Sequence, residues 1–154
     1  MFKIVLVEPL IPPNTGSTGR LALATESELI LIGKLGFHTD EKTLRRAGLD
    51  YWKYVKWHHY EKDFFSFVNE HKGRYHLFST HATTPYTEIE FQANDYLVFG
   101  NEDGGLGKEI ISSFPDSIYR IPMFDYRVRS LNLATSVGII VYEGIRQLSM
   151  KKLV

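Results

Sequence analysis

The residues best suited to chemistry lie in two loops of the C-terminal half. Gly100-Asn-Glu-Asp-Gly-Gly-Leu-Gly107 follows an apolar run, Tyr96-Leu-Val-Phe99, and Arg129-Ser-Leu-Asn132 precedes Leu133-Ala-Thr-Ser-Val137. Glycines at 100, 104, 105 and 107 let the main chain turn sharply and approach a ligand closely. Ser130 or Asn132 can cap the helix that follows and leave its amide donors facing the same place. Loops built this way hold a small polar cofactor through backbone groups, with no metal needed.

Several other chemistries are excluded. Lys108 follows Gly107, but Glu109 stands where a phosphate-binding P-loop needs Ser or Thr, and Glu102 stands where it needs its first glycine. Asn14-Thr-Gly-Ser-Thr-Gly19 approaches the dinucleotide pattern but lacks its first glycine and follows two prolines. The chain has no cysteine, which removes disulfides, thiolate metal sites and cysteine nucleophiles together. His38, His58, His59, His71, His76 and His81 are scattered, without metal-ligand spacing, and Ser136 lacks the context of a hydrolase nucleophile.

The loops must be positioned by a framework, and the chain supplies one. Its 154 residues suit one domain spanning 1–154, long enough to bury roughly 70% of the extended surface. Strands are expected at Lys3–Glu8, Glu28–Ile32, Tyr54–His58, Arg74–Phe78, Tyr96–Phe99 and Ile118–Ile121. Pro9 and Pro12-Pro13 stop the first strand, and Asn14 is an N-cap for a helix over Thr15–Thr25. Further helices are expected at Thr39–Gly48, Glu61–His71 and Gly107–Ser113. Leu133, Val137, Ile140, Val141, Ile145 and Leu148 recur at helical spacing and define a last helix over Leu131–Met150. Alternating strands and helices imply an α/β fold with a mostly parallel sheet and ligands beyond the carboxyl ends of its strands.

Eighteen basic residues balance eighteen acidic ones. A nucleic-acid binder usually carries a basic excess, so any RNA contact must come from a local patch. Arg45-Arg46 with Lys42, or Arg127 with Arg129 and Arg20, are candidates, and a symmetric dimer would double either. No run approaches the roughly 20 apolar residues of a membrane span, and Ile4-Val-Leu-Val7 is too short for a signal peptide, so a cytoplasmic location is expected.

Three segments together resemble the SPOUT superfamily of trefoil-knot RNA methyltransferases. Asn14-Thr-Gly-Ser-Thr-Gly-Arg20 is similar to its first motif, Phe99-Gly-Asn-Glu-Asp-Gly-Gly-Leu106 to its second, and Ile121-Pro-Met123 with Ser130-Leu-Asn-Leu133 to its third. The likeness extends over essentially the whole chain, including Leu44-Arg-Arg-Ala-Gly-Leu-Asp-Tyr51 and Val141-Tyr-Glu143. It points to the minimal subfamily that methylates the ribose of the tRNA wobble nucleotide.

The resemblance implies a C-terminal trefoil knot, S-adenosylmethionine as cofactor, the tRNA anticodon stem-loop as partner, and a homodimer in which each site is completed near the partner subunit. It implies cofactor contacts from Ser79, Gly100, Glu102, Ile121, Ser130 and Leu131, with a side chain at Gly100 expected to occupy cofactor space. It also implies that Asn14 and Arg20 sit on the methyl-acceptor side, with Tyr142 a further polar group nearby. A guanidinium holds its proton, so Arg20 suits phosphate binding and stabilisation of charge on the attacking oxygen better than a base's role. Methyl transfer from a sulfonium needs in-line positioning and implies no metal. Asp103-Gly104-Gly105 departs from the basic residue often found at that point in the subfamily, making the loop more acidic.

Overall fold

The computed structural model describes residues 1–38, 42 and 49–151. The helix expected over Thr39–Gly48, and Arg45-Arg46 with it, fall almost wholly outside the described residues. Six strands, β1 (Lys3–Val7), β2 (Glu28–Ile32), β3 (Trp57–Tyr60), β4 (Tyr75–Phe78), β5 (Tyr96–Phe99) and β6 (Ile118–Tyr119), form one sheet in the order β3-β2-β1-β5-β4-β6. Every neighbouring pair is parallel. Among the described residues four α-helices of more than one residue accompany them: α1 (Pro12–Ala24), α2 (Phe64–Glu70), α3 (Lys108–Ser113) and α4 (Leu133–Lys151).

Alternation along the strands divides the core between the two faces of the sheet. Ile4, Leu6, Leu29, Leu31, Leu97 and Phe99 face α1 and α4, where Ala22, Val137, Ile140 and Val141 complete one cluster. Val5, Val7, Ile30, Ile32, Tyr96 and Val98 point the other way, against Phe64 and Phe67 of α2 and Leu106 before α3. Burial on both sides is why these strands read as unbroken apolar runs.

Several boundaries differ from the sequence reading, each for a physical reason. Helix α1 starts at Pro12, with prolines in its first two positions, and its N-cap is Ile11 rather than Asn14. A proline costs nothing there, because the first turn's N–H groups have no partner within the helix. β1 stops at Val7 because Glu8 takes a positive φ of 50°, although its N–H still reaches the Ile32 carbonyl at 2.8 Å. Leu49–Tyr54 is a 3₁₀ helix, so β3 starts three residues later than expected. The cause is Trp52, which is buried against Gly19 of α1: a Cβ on Gly19 would fall inside the indole ring's contact distance.

Asp63 caps α2, its carboxylate accepting the Ser66 N–H at 2.8 Å, which shortens that helix at its start relative to Glu61–His71. The bond holds the Asp63 carboxyl below the ordinary carboxylate range. β4 begins at Tyr75 rather than Arg74, and α3 at Lys108 with Gly107 as its cap. β6 ends at Tyr119 rather than Ile121, since Arg120 leaves the ladder to bond with Thr84 and Tyr86 at 2.8 and 2.9 Å. A second 3₁₀ turn, Tyr86–Glu88, follows that contact and was not expected.

Candidate active site

Strand order reverses at β1, whose neighbours are β2 on one side and β5 on the other. Ligands in open parallel sheets bind beyond strand carboxyl ends at such a point. There the loops after β1, β4, β5 and β6 close round a cavity of about 720 Å³, within the usual size range of small-molecule sites. Each of the six residues expected to hold a cofactor lines it: Ser79 after β4, Gly100 and Glu102 after β5, Ile121 after β6, and Ser130 and Leu131 before α4. Leu106 and Leu133 add buried apolar wall, and the main chain of 100–105 adds polar groups.

The β5 loop is shaped by its own hydrogen bonds. Asn101 and Gly105 exchange N–H···O bonds of 3.2 Å, and the Asn101 side-chain oxygen accepts from Gly104 N–H at 2.7 Å and Asp103 N–H at 3.1 Å. This closure brings the Gly105–Leu106 peptide onto Gly100, so that a Cβ at 100 would collide with backbone. The loop by itself therefore requires glycine at position 100, whatever else a side chain there would meet.

A chain of side-chain bonds ties the loops together. Glu102 accepts from the Leu10 N–H at 3.0 Å and the Ile11 N–H at 2.5 Å, serving as the N-terminal cap that α1 lacks locally. The Asn14 amide donates to Glu102 at 3.3 Å and accepts from the Asn132 amide at 2.9 Å. Asn132 in turn accepts the Thr135 N–H at 3.1 Å and caps α4, which settles the choice between it and Ser130 and sets the helix start at Leu133 rather than Leu131. Ser130 is thereby left exposed at the cavity.

Both Glu102 oxygens are thus engaged by protein donors. Glu102→Ala would strand two backbone N–H groups and is expected to cost about 3 kcal/mol, since hydrogen bonds to charged groups contribute roughly 1.5–3 kcal/mol each. Thermal denaturation should record a fall of roughly 6–12 °C. An unchanged melting temperature would mean the carboxylate is not a structural clamp.

Arg20 and Tyr142 are not among the residues that line the cavity. Arg20 lies six positions beyond Asn14 on α1, about 9 Å along the axis and about 240° round it. It is exposed, its guanidinium 5.0 Å from the Tyr51 ring centroid. Tyr142 is half-exposed on α4. Arg129, read in the sequence only as part of a candidate basic patch, and Met123, read only as part of the third motif, both line the cavity. Among the described residues no group of three or more His, Cys, Asp or Glu is placed to hold a metal ion.

A parallel sheet whose carboxyl-end loops fold round one small-molecule cavity defines an α/β cofactor-binding protein. The chain belongs to the SpoU rRNA methylase family, whose model matches residues 1–142. A tRNA (cytidine(34)-2'-O)-methyltransferase from Yersinia pestis is 43% identical over 157 residues, spanning 96% of this chain and 94% of that protein. A solved structure concerned with 2-OH methylation of C/U34 on tRNA superposes with a TM-score of 0.90 at 40% identity, covering 97% of each chain. An AdoMet-bound rRNA methyltransferase from Sinorhizobium meliloti is 25% identical with a TM-score of 0.81, covering 96% of this chain and 56% of the longer one.

Proposed function

We propose that this chain transfers a methyl group from S-adenosylmethionine to the ribose 2'-hydroxyl of the tRNA wobble nucleotide, cytidine or uridine 34, acting in the cytoplasm on the anticodon stem-loop as a homodimer. The observation that carries the reading is near-complete correspondence, at 43% identity, with a protein named for that reaction. A single domain over 1–154 with a C-terminal trefoil knot belongs to the same proposal.

When bound, S-adenosylmethionine supplies an electrophilic methyl group on a sulfonium. Ser79, Ser130 and the main chain from Gly100 to Gly105 hold its polar groups, while Ile121 and Leu131 pack against it. Leu106 and Leu133 exclude water from the cavity. Glu102 and Asn14 act chiefly as positioning residues, fixing the wall through the bonds to Leu10, Ile11 and Asn132. Arg20, exposed and not among the residues that line its own chain's cavity, serves a site completed across the dimer, where it clamps the substrate phosphate and offsets charge on the attacking oxygen. Tyr142 offers its hydroxyl to the substrate on the α4 surface. Positioning supplies most of the rate, as in other displacements that need chiefly in-line geometry.

Incubation with labelled S-adenosylmethionine and bulk tRNA, followed by digestion to nucleosides, tests the reading. Label in a 2'-O-methylated pyrimidine from the wobble position supports it. Label at another ribose or base moves the substrate, and cofactor binding without transfer makes the protein a non-catalytic RNA-binding module.

A further inference from the structure

The loop between β6 and α4 carries a feature the cofactor site does not use. Met123 and Arg129 line the cavity, and between them the chain projects into solvent. Asp125 pins the projection: its carboxylate accepts the Arg127 N–H at 2.9 Å and pairs with the guanidinium at 2.6 Å, while its carbonyl accepts the Val128 N–H at 3.2 Å. The pairing holds the Asp125 carboxyl below its ordinary range. On either side of Asp125, Phe124 is 99% exposed and Tyr126 94%. Single exposed apolar residues need no explanation, but two large rings held in water on a pinned loop at a cavity rim mark a contact surface.

We infer that Phe124 and Tyr126 form a stacking platform for unpaired bases flanking the acceptor nucleotide, with Arg129 reaching the adjoining phosphate. The inference rests on the RNA reading given above. Charge favours RNA over a second copy of this chain as the occupant. Asp125 is taken up by Arg127, and Arg129 makes no hydrogen bond or ion pair with any described residue, so the loop presents an uncompensated positive charge. The two rings are also separated in sequence by a charged residue, whereas the core of a subunit interface is depleted of charge. Aromatic faces alternating with guanidinium groups match a strand of bases and phosphates, and single-stranded loops are where RNA bases can splay out and stack. A local patch of this kind is what a chain with no net charge needs in order to hold RNA.

The test uses an anticodon stem-loop carrying 2-aminopurine immediately 3' of the wobble nucleotide, with S-adenosylmethionine affinity measured in parallel by calorimetry. Wild-type protein should quench the fluorophore by stacking and methylate the RNA. The Phe124→Ala/Tyr126→Ala variant should lose the quenching and bind about 100-fold more weakly, roughly tenfold per ring, with cofactor affinity unchanged. The exchanged pair Phe124→Tyr/Tyr126→Phe should restore both signals, because either ring offers a π face. If the alanine variant binds and quenches as wild type while wild type methylates the stem-loop, the platform is overturned and the functional reading stands. Loss of RNA binding together with conversion of a dimer to a monomer in sedimentation would assign the rings to a second copy and also overturn it. Wild-type protein that neither binds nor methylates the stem-loop would sink the functional reading, and the platform with it.

Discussion

Replacing Gly100 with alanine is expected to lower S-adenosylmethionine affinity about 100-fold, the equivalent of ~3 kcal/mol, and valine should do at least as much. The reason lies in the backbone. A Cβ at this position falls on the Gly105–Leu106 peptide, and a peptide group cannot rotate out of the way as a flexible side chain can. Relief requires opening the paired Asn101–Gly105 hydrogen bonds of 3.2 Å, which shape the cavity wall. Alanine discriminates between two causes. Were cofactor space the obstacle, the small methyl would be tolerated far better than valine; with loop backbone as the obstacle, the first carbon does most of the damage. Calorimetric titration of both variants decides, and an alanine variant with wild-type affinity would show that the loop can be closed another way.

Arg20→Ala is expected to reduce methyl transfer about 100- to 1000-fold, the usual consequence of removing a preorganised donor aimed at developing charge, while leaving cofactor affinity intact. Arg20 is exposed, does not line the cavity, and among the described residues stacks on Tyr51 at 5.0 Å, so its loss removes no cavity wall. Arg20→Lys keeps the charge but loses the planar fork that grips a phosphate through two bonds, and should recover activity only in part. Single-turnover transfer measured beside cofactor titration separates the effects. Equal loss of both would refute a role on the acceptor side.

Much of this framework was legible in the chain because its cause is local. β2 and β5 match their expected spans, since runs such as Leu29-Ile-Leu-Ile32 have nowhere to go but a sheet buried on both faces. The helical spacing from Leu133 to Leu148 likewise exposed α4. Local signals failed where the partner was distant. Pro12-Pro13 read as a strand stop, yet they open α1, because Glu102 supplies the missing cap from the loop after the neighbouring strand β5, 91 and 92 residues away in the chain. The aromatic run around Trp52 has strand character throughout, and only the space over Gly19 turns its first part into a 3₁₀ helix.

The site divides in the same way. Glycines and a serine before a helix announced a ligand loop, and the residues named for the cofactor do converge on one cavity. The bonds from Asn14 to Glu102 and Asn132 span 88 and 118 residues and leave no trace in any short window. Phe124 and Tyr126 were hidden for the opposite reason: an aromatic residue defaults to the core, and only the fold reveals that these two are left outside it.

The most direct measurement is methyl transfer from labelled S-adenosylmethionine to two anticodon stem-loops that differ only by a 2'-deoxy sugar at nucleotide 34. The ribo form should take up label in a single pyrimidine nucleoside at that position, and the deoxy form should take up none. Label retained in the deoxy form would contradict the account, because the methyl group would then be going somewhere other than the wobble hydroxyl.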